Sequence, residues 1–279
     1  MPGIIGGFLI ALAACSKPSS KSTPPTSAGD TPSEDLDVPM PEPSPPLARP
    51  DTDAGLTSWM APSAAWRGRG PPPTNYSLFE IPQGSPVLAY AALTRDACEA
   101  ELGKRKVAFH RAADIPGVRA PVLLDGPLHG VTYHSSAPHK ELDCRLVLAL
   151  DDFSIALAAH DVVGANVFSS YRTPKENGCT NKYAGEQHCA ALAADIGIFE
   201  KKDRTTLHVE KDFHGKIGLL TCKPNVGPRP PSDHAKELWE LACSAAGRQF
   251  QVILTPNWNE QHRNHFHLEL TTHDWVLIR

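Results

Sequence analysis

The chain has 279 residues, a formal net charge of -4 and 41% hydrophobic residues. That near balance gives no reason to expect nucleic acid or an acidic membrane surface as partner, and it leaves the oligomeric state open. Of the 27 prolines, 14 fall between Pro18 and Pro73, so that stretch is not expected to fold. About 200 residues remain, enough for one domain with a substantial core.

Residues 1–15 read as a lipoprotein signal peptide. Ile4 to Ala14 is an apolar run too short to span a bilayer as a stable helix. It ends in Leu12-Ala13-Ala14-Cys15, which resembles a lipobox and marks Cys15 as the lipidated first residue of the mature chain. Met1 to Gly7 lacks the Lys or Arg of a signal peptide's positive region. The plainer alternative is a secretory signal with a chance cysteine. Ser16 after Cys15 points to the outer membrane by the usual sorting pattern, so the expected location is the periplasmic side of the cell envelope, on a lipid anchor.

Residues 16–73 are rich in Pro, Ser, Thr, Asp and Ala. They cannot bury enough apolar surface to offset the entropy of ordering, and are expected to form a disordered, semi-extended tether. Trp59 and Trp66 interrupt it and either dock on the domain or are incidental.

From Thr74 to Arg279 the composition is globular. Thr94 to Lys106 is expected to be a helix capped by Thr94. Val107 to Phe109 and Pro121 to Tyr133 read as short strands around glycine turns. Leu142 to His160 reads as a second helix, Val162 to Tyr171 as a β-branched strand, and Thr206 to Glu210 as a strand. Ser232 to Gly247 is a third helix, with Ser232 as cap and Leu238, Leu241 and Ala242 on one face. Phe250 to Leu254 and His265 to Leu270 are strands. Helices and strands do not alternate regularly, so the expected fold is α+β, a single domain with a mainly antiparallel sheet and flanking helices. Beyond Cys15 the cysteines are an even set, Cys98, Cys144, Cys179, Cys189, Cys222 and Cys243. In an oxidising compartment they can pair, with the connectivity open. No CxxC occurs to suggest a cysteine-zinc cluster.

The sharpest chemical signal is the run from His262 to Leu270, HRNHFHLEL. On a strand, His265, His267 and Glu269 would share one face, and Phe266, Leu268 and Leu270 the other. A second signal is His188, six residues, then Asp195, around small apolar residues. Such a pair is not left unpartnered in a core. Zinc accepts imidazole nitrogen and carboxylate oxygen, and a catalytic site needs three protein ligands. His188, Asp195 and His267 supply such a set. Plainer readings are a solvated strand face, a buried hydrogen-bonded His188, and an Asp195–Arg172 ion pair.

H-x6-D followed by H-x-H resembles the zinc peptidases grouped as the LAS family, which includes D-alanyl-D-alanine carboxypeptidases and dipeptidases and murein endopeptidases. Their pattern S-x-H-x-x-G-x-A-x-D has His188, Ala193 and Asp195 in place, with Glu186 for the Ser and Ala191 for the Gly. Ser170-Tyr171-Arg172 resembles their S-G-Y-R segment. Over Cys98 to Leu270 the chain is similar to the bacterial extensin-like C-terminal domain, in the segments HCAALAADIGIF and LTPNWNEQHRNHFHLEL and in the cysteines, Cys222 and Cys243 falling between the two motifs.

The resemblance implies His188, Asp195 and His267 as zinc ligands; Glu269, on the strand face shared with His267, is the candidate for their outer support. It places His265 beside the catalytic water, His262 at a further histidine position, and Arg172 on the substrate carbonyl or oxyanion. The carboxypeptidase branch carries a glutamate base where this chain has Asn264, so the base role passes to His265 or His262, with Glu260 ranked lower. The expected function is that of an exported zinc metallopeptidase acting on peptidoglycan peptides. The alternatives are a zinc-containing module that binds peptidoglycan without cutting it, and a structural envelope protein. His110, His129, His134, His139 and His160 are weaker candidates. Asn257, Trp258 and Asn259 are candidate cleft residues, and Trp239 is a core residue.

Overall fold

The computed structural model describes residues 77–173, 187–222, 230–272 and 275–278, all within the unit Asp53–Arg279. The expectations for residues 1–73, among them Cys15, Trp59 and Trp66, and for Cys179 and Glu186 lie outside the described residues. In chain order the elements are β1 (Ser77–Glu80), α1 (Val87–Ala92), α2 (Arg95–Lys104), β2 (Phe109–Arg111), β3 (Pro121–Leu124), β4 (Thr132–Ser135), β5 (Leu142–Asp143), α3 (Cys144–Ala159), β6 (Val162–Ser169) and a 3-10 turn at Gln187–Ala190. There follow β7 (Ala193–Lys201), β8 (Thr206–His208), α4 (Val209–Asp212), α5 (Asp233–Ala245), β9 (Val252–Leu254), a 3-10 turn at Glu260–His262, β10 (Phe266–Glu269) and β11 (Trp275–Ile278).

The strands form an eight-stranded sheet in the order β1-β11-β9-β10-β7-β6-β4, and a three-stranded sheet β2-β3-β5. The large sheet is antiparallel except at β4–β6 and β9–β11. The small sheet is antiparallel throughout. Strand β7 organises the large one. One edge pairs with β6, and the other is shared, Ala193–Ile196 with β10 and Ile198–Glu200 with β8. The fold is α+β, one domain with a mainly antiparallel sheet and flanking helices.

Helix α3 forms where the sequence is apolar with no Gly or Pro. Leu146, Val147, Leu148, Leu150, Phe153 and Leu157 are fully buried, each worth roughly 1.5–3 kcal/mol on removal from water. Its first residue is set by Asp143, whose carboxylate accepts the Arg145 amide at 3.0 Å and grips the Arg145 guanidinium at 2.7 and 2.9 Å. The predicted start at Leu142 is therefore corrected: Leu142 and Asp143 pair with Val122 and Pro121 as strand β5. Thr94 caps α2 and Ser232 caps α5 as expected, each accepting the amide three residues on.

Four further boundaries are corrected. The strand expected from Val107 to Phe109 begins at Phe109. Pro121 to Tyr133 contributes to two different sheets. The strand from Val162 ends at Ser169 rather than Tyr171. The one from Thr206 ends at His208, whose amide donates to Asp212 Oδ2 at 2.7 Å as the chain turns into α4. Disulfides Cys98–Cys144 and Cys222–Cys243 tie α2 to α3 and the Thr221 segment to α5, and Cys189 is also disulfide-bonded. Such links typically contribute about 2–4 kcal/mol, chiefly by restricting the unfolded chain.

Candidate metal centre

Antiparallel register builds the centre. On β7 and β10, Asp195 stands directly opposite His267, and on the other edge of β7 Asp195 faces Ser169. The third residue, His188, comes from the 3-10 turn before β7. That turn is closed by Ala191 N–H to His188 O at 3.0 Å and Leu192 N–H to Gln187 O at 3.1 Å. Ala191 takes φ 52, a left-handed conformation costly for a residue with a Cβ. It sharply reverses the chain between His188 and Asp195.

Three atoms converge. His188 Nε2 lies 3.2 Å from both Asp195 Oδ1 and His267 Nδ1, and His267 Nδ1 lies 3.0 Å from Asp195 Oδ1. All three residues are buried, and together they can hold a metal ion. Outer partners fix the ring protons. His188 Nδ1 faces the Ser170 carbonyl at 2.6 Å, which can only accept, so Nδ1 carries the hydrogen. His267 Nε2 donates to Glu269 Oε2 at 2.9 Å. With these nitrogens protonated, the second nitrogen of each ring faces Asp195 and offers a lone pair once its ring is neutral. Tetrahedral zinc with bonds of about 2.0–2.1 Å separates its ligand atoms by roughly 3.3 Å, close to the observed triangle. Histidines whose second nitrogens donate to a carbonyl and a carboxylate are the usual outer support of a metal site.

The electrostatics agree. Burial pushes the Asp195 carboxyl up, but His188 and His267 beside it outweigh this and hold it well below the ordinary range. Burial disfavours a charged His267, yet its hydrogen bonds to Asp195 and Glu269, and their charges, raise it to about 9. The centre thus favours a positive charge among these atoms.

His262 and His265 stand at the rim. His265 precedes β10 rather than belonging to it, a correction to the expected strand, yet its Nε2 lies 3.4 Å from Asp195 Oδ1. Its Nδ1–H donates to Asn264 Oδ1 at 2.8 Å, leaving the Nε2 lone pair on the side of the centre. Burial lowers its pKa, with His267 and His188 adding to the effect. His262 packs 5.1 Å from the His265 ring and 5.9 Å from the His267 ring, and donates Nδ1–H to Asn259 Oδ1 at 2.7 Å. Burial first, and then His267 and His265, push it down to about 3.

Arg172 donates NH2 to Asp195 Oδ2 and Nε to Ser169 Oγ at 2.8 Å. The ion pair read from the sequence as the plainer alternative is thus present. The Arg172 side chain is still 35% exposed. Ser170 and Tyr171, the rest of that segment, hold His188 and donate to the Pro116 carbonyl. The sequence reading missed the roles of the Ser170 carbonyl, Asn259 and Asn264. The last was visible only as a departure from a pattern, and its neighbour's ring orientation is what it controls.

The weaker candidates scatter. His110 pairs with Asp125, His129 with Asp151, and His160 with Glu237. His139 packs edge-on against Tyr171. Trp239 is half-buried, packed against the core and stacked on Phe213.

Compared with protein families, the chain matches the family described as extensin-like protein C-terminus over residues 96–278. The chain belongs to that family. The extensin-like domain therefore contains every residue of the centre, from Arg172 to Glu269. Comparison with curated proteins and with solved structures finds no match for this extensin-like chain.

Proposed function

We propose that this protein is an exported, lipid-anchored zinc peptidase that hydrolyses amide bonds in peptidoglycan stem peptides or crosslinks. The observation that carries the reading is the buried His188–Asp195–His267 triangle, with both ring protons committed to outer partners. Ala191 adds support: φ 52 occurs where the resembled zinc-peptidase pattern carries glycine, the residue that adopts this conformation without strain. The apolar segment ending at Cys15 supports export and anchoring.

Bound there, zinc would polarise a scissile carbonyl and make a coordinated water acidic. His188, Asp195 and His267 would hold it, and Ser170 and Glu269 orient the two rings. His265, its Nε2 lone pair beside Asp195 Oδ1, accepts the water's proton and returns it to the leaving amine. Arg172 neutralises the second oxygen of Asp195 and offers its exposed part to the developing oxyanion. His262, uncharged at neutral pH, packs beside His265 and limits its motion.

A second reading, a zinc-containing module that binds stem peptides without cutting them, is favoured by Asn264, which is not a base. The test is incubation of the zinc-loaded protein with muropeptides, followed by mass spectrometry. Release of a hydrolysed peptide, absent with His265→Ala, supports the peptidase. Intact muropeptides that nevertheless bind support the module.

A further inference from the structure

A cleft of about 240 Å³ opens between α4 and the segment that precedes β10. One wall is α4 and the following turn, with Glu210, Lys211 and His214; the other is the segment that carries Asn259, Glu260 and Arg263. Asn259 belongs to both places, since it lines the cleft and its Oδ1 holds the His262 ring. A ligand in the cleft therefore lies against the segment that presents His262. The volume falls below the ~300–1,000 Å³ of sites enclosing drug-sized molecules, and suits one residue-sized group.

The cleft carries balanced charge: the carboxylates of Glu210 and Glu260 against the cations of Lys211 and Arg263. Arg263 stands between the carboxylates, 3.5 Å from Glu210 Oε1 and 3.3 Å from Glu260 Oε1. All three side chains are more than half exposed. Such pairs contribute only ~0–1 kcal/mol each and can be exchanged for a ligand's charges. Lys211 forms no ion pair among the described residues. A ligand anion alone would meet two carboxylates, and a cation alone would meet an ammonium and a guanidinium. A group with both signs meets opposite charge on each wall.

We infer that this cleft binds a zwitterionic amino-acid group, an ammonium and a carboxylate on one carbon, carried by a side chain of the peptide substrate. The source of that group rests on the peptidase reading; its chemistry rests on the cleft alone. The test is calorimetry on the full-length, zinc-loaded protein with acetyl-Ala-X-Ala-amide, where X is diaminopimelate, lysine or glutamate, and with free alanine.

The diaminopimelate peptide is expected to bind about tenfold more tightly than the other two. Lys211→Met should erase its margin over the lysine peptide, and Glu260→Gln its margin over the glutamate peptide. Equal affinity for the three peptides, or margins unmoved by both substitutions, overturns the proposal. Free alanine binding as tightly as the diaminopimelate peptide overturns the peptide source. Absence of zinc from the protein, with these margins intact, counts against the peptidase reading and leaves the cleft's chemistry standing.

Discussion

Glu269 lies two residues beyond His267 on β10 and accepts its Nε2–H at 2.9 Å, with both side chains buried. The same Glu269 oxygen accepts the amide of Gln187 at 3.1 Å, at the head of the turn that carries His188. One carboxylate thereby steadies the His267 ring and the turn that presents His188. Glu269→Gln keeps the shape and removes the charge. Loss of such an outer partner typically costs about 10–100-fold in metal affinity. Competition with a zinc chelator is expected to show that weakening, with full occupancy restored at excess zinc.

The raised pKa of His267 would make metal binding at this centre proton-linked. At about 9 against an ordinary 6.5, the ring of the metal-free protein is protonated at neutral pH. That charge stabilises the metal-free fold fully below the ordinary value, and the contribution is lost as pH rises through about 9. Zinc must displace the proton. Calorimetry in buffers of different ionisation enthalpy is expected to show about one proton released per zinc at neutral pH, falling toward none above pH ~10. No proton release at neutral pH would show that His267 is not a ligand.

His265 separates metal binding from turnover. Its Nε2 approaches Asp195, but it lies outside the three residues that can share an ion. His265→Ala should keep zinc and lower the rate of muropeptide hydrolysis by about 10²–10⁴-fold. Loss of zinc in this variant would mean that the ligand set is misassigned.

Gly197 couples the core to the rim of the centre. A Cβ there would overlap the Phe168 ring and lie 2.8 Å from the Asn264 carbonyl oxygen. Gly197→Ala therefore forces β7, Phe168 and the Asn264–His265 turn apart. The expected cost is about 1–3 kcal/mol in urea unfolding, with reduced hydrolysis and normal zinc content.

The convergence of His188, Asp195 and His267 was legible because His267 and Glu269 alternate with apolar residues, and because His188 and Asp195 are polar residues in an apolar run. The strand that carries Asp195 was not. β7 is buried on both faces along its first half, so it shows no alternation, and its leading Ala193 and Ala194 favour helix. The end strands β1 and β11 are only four residues long and gain their structure by pairing with each other and with β9. The cap residues Thr94 and Ser232 were legible because capping is local. Asp143 was not, because its pairing with β3 is long-range. The orientations of His262 and His265 depend on Asn259 and Asn264, whose amides carry no pattern until the chain is folded.

The most direct measurement is the zinc content of the purified protein beside its His267→Ala and Asp195→Ala variants, with folding checked by circular dichroism. The account predicts about one zinc per chain in the parent and none in either folded variant. Zinc retained by both variants, or no zinc in a parent that folds and is supplied with the metal, would contradict it.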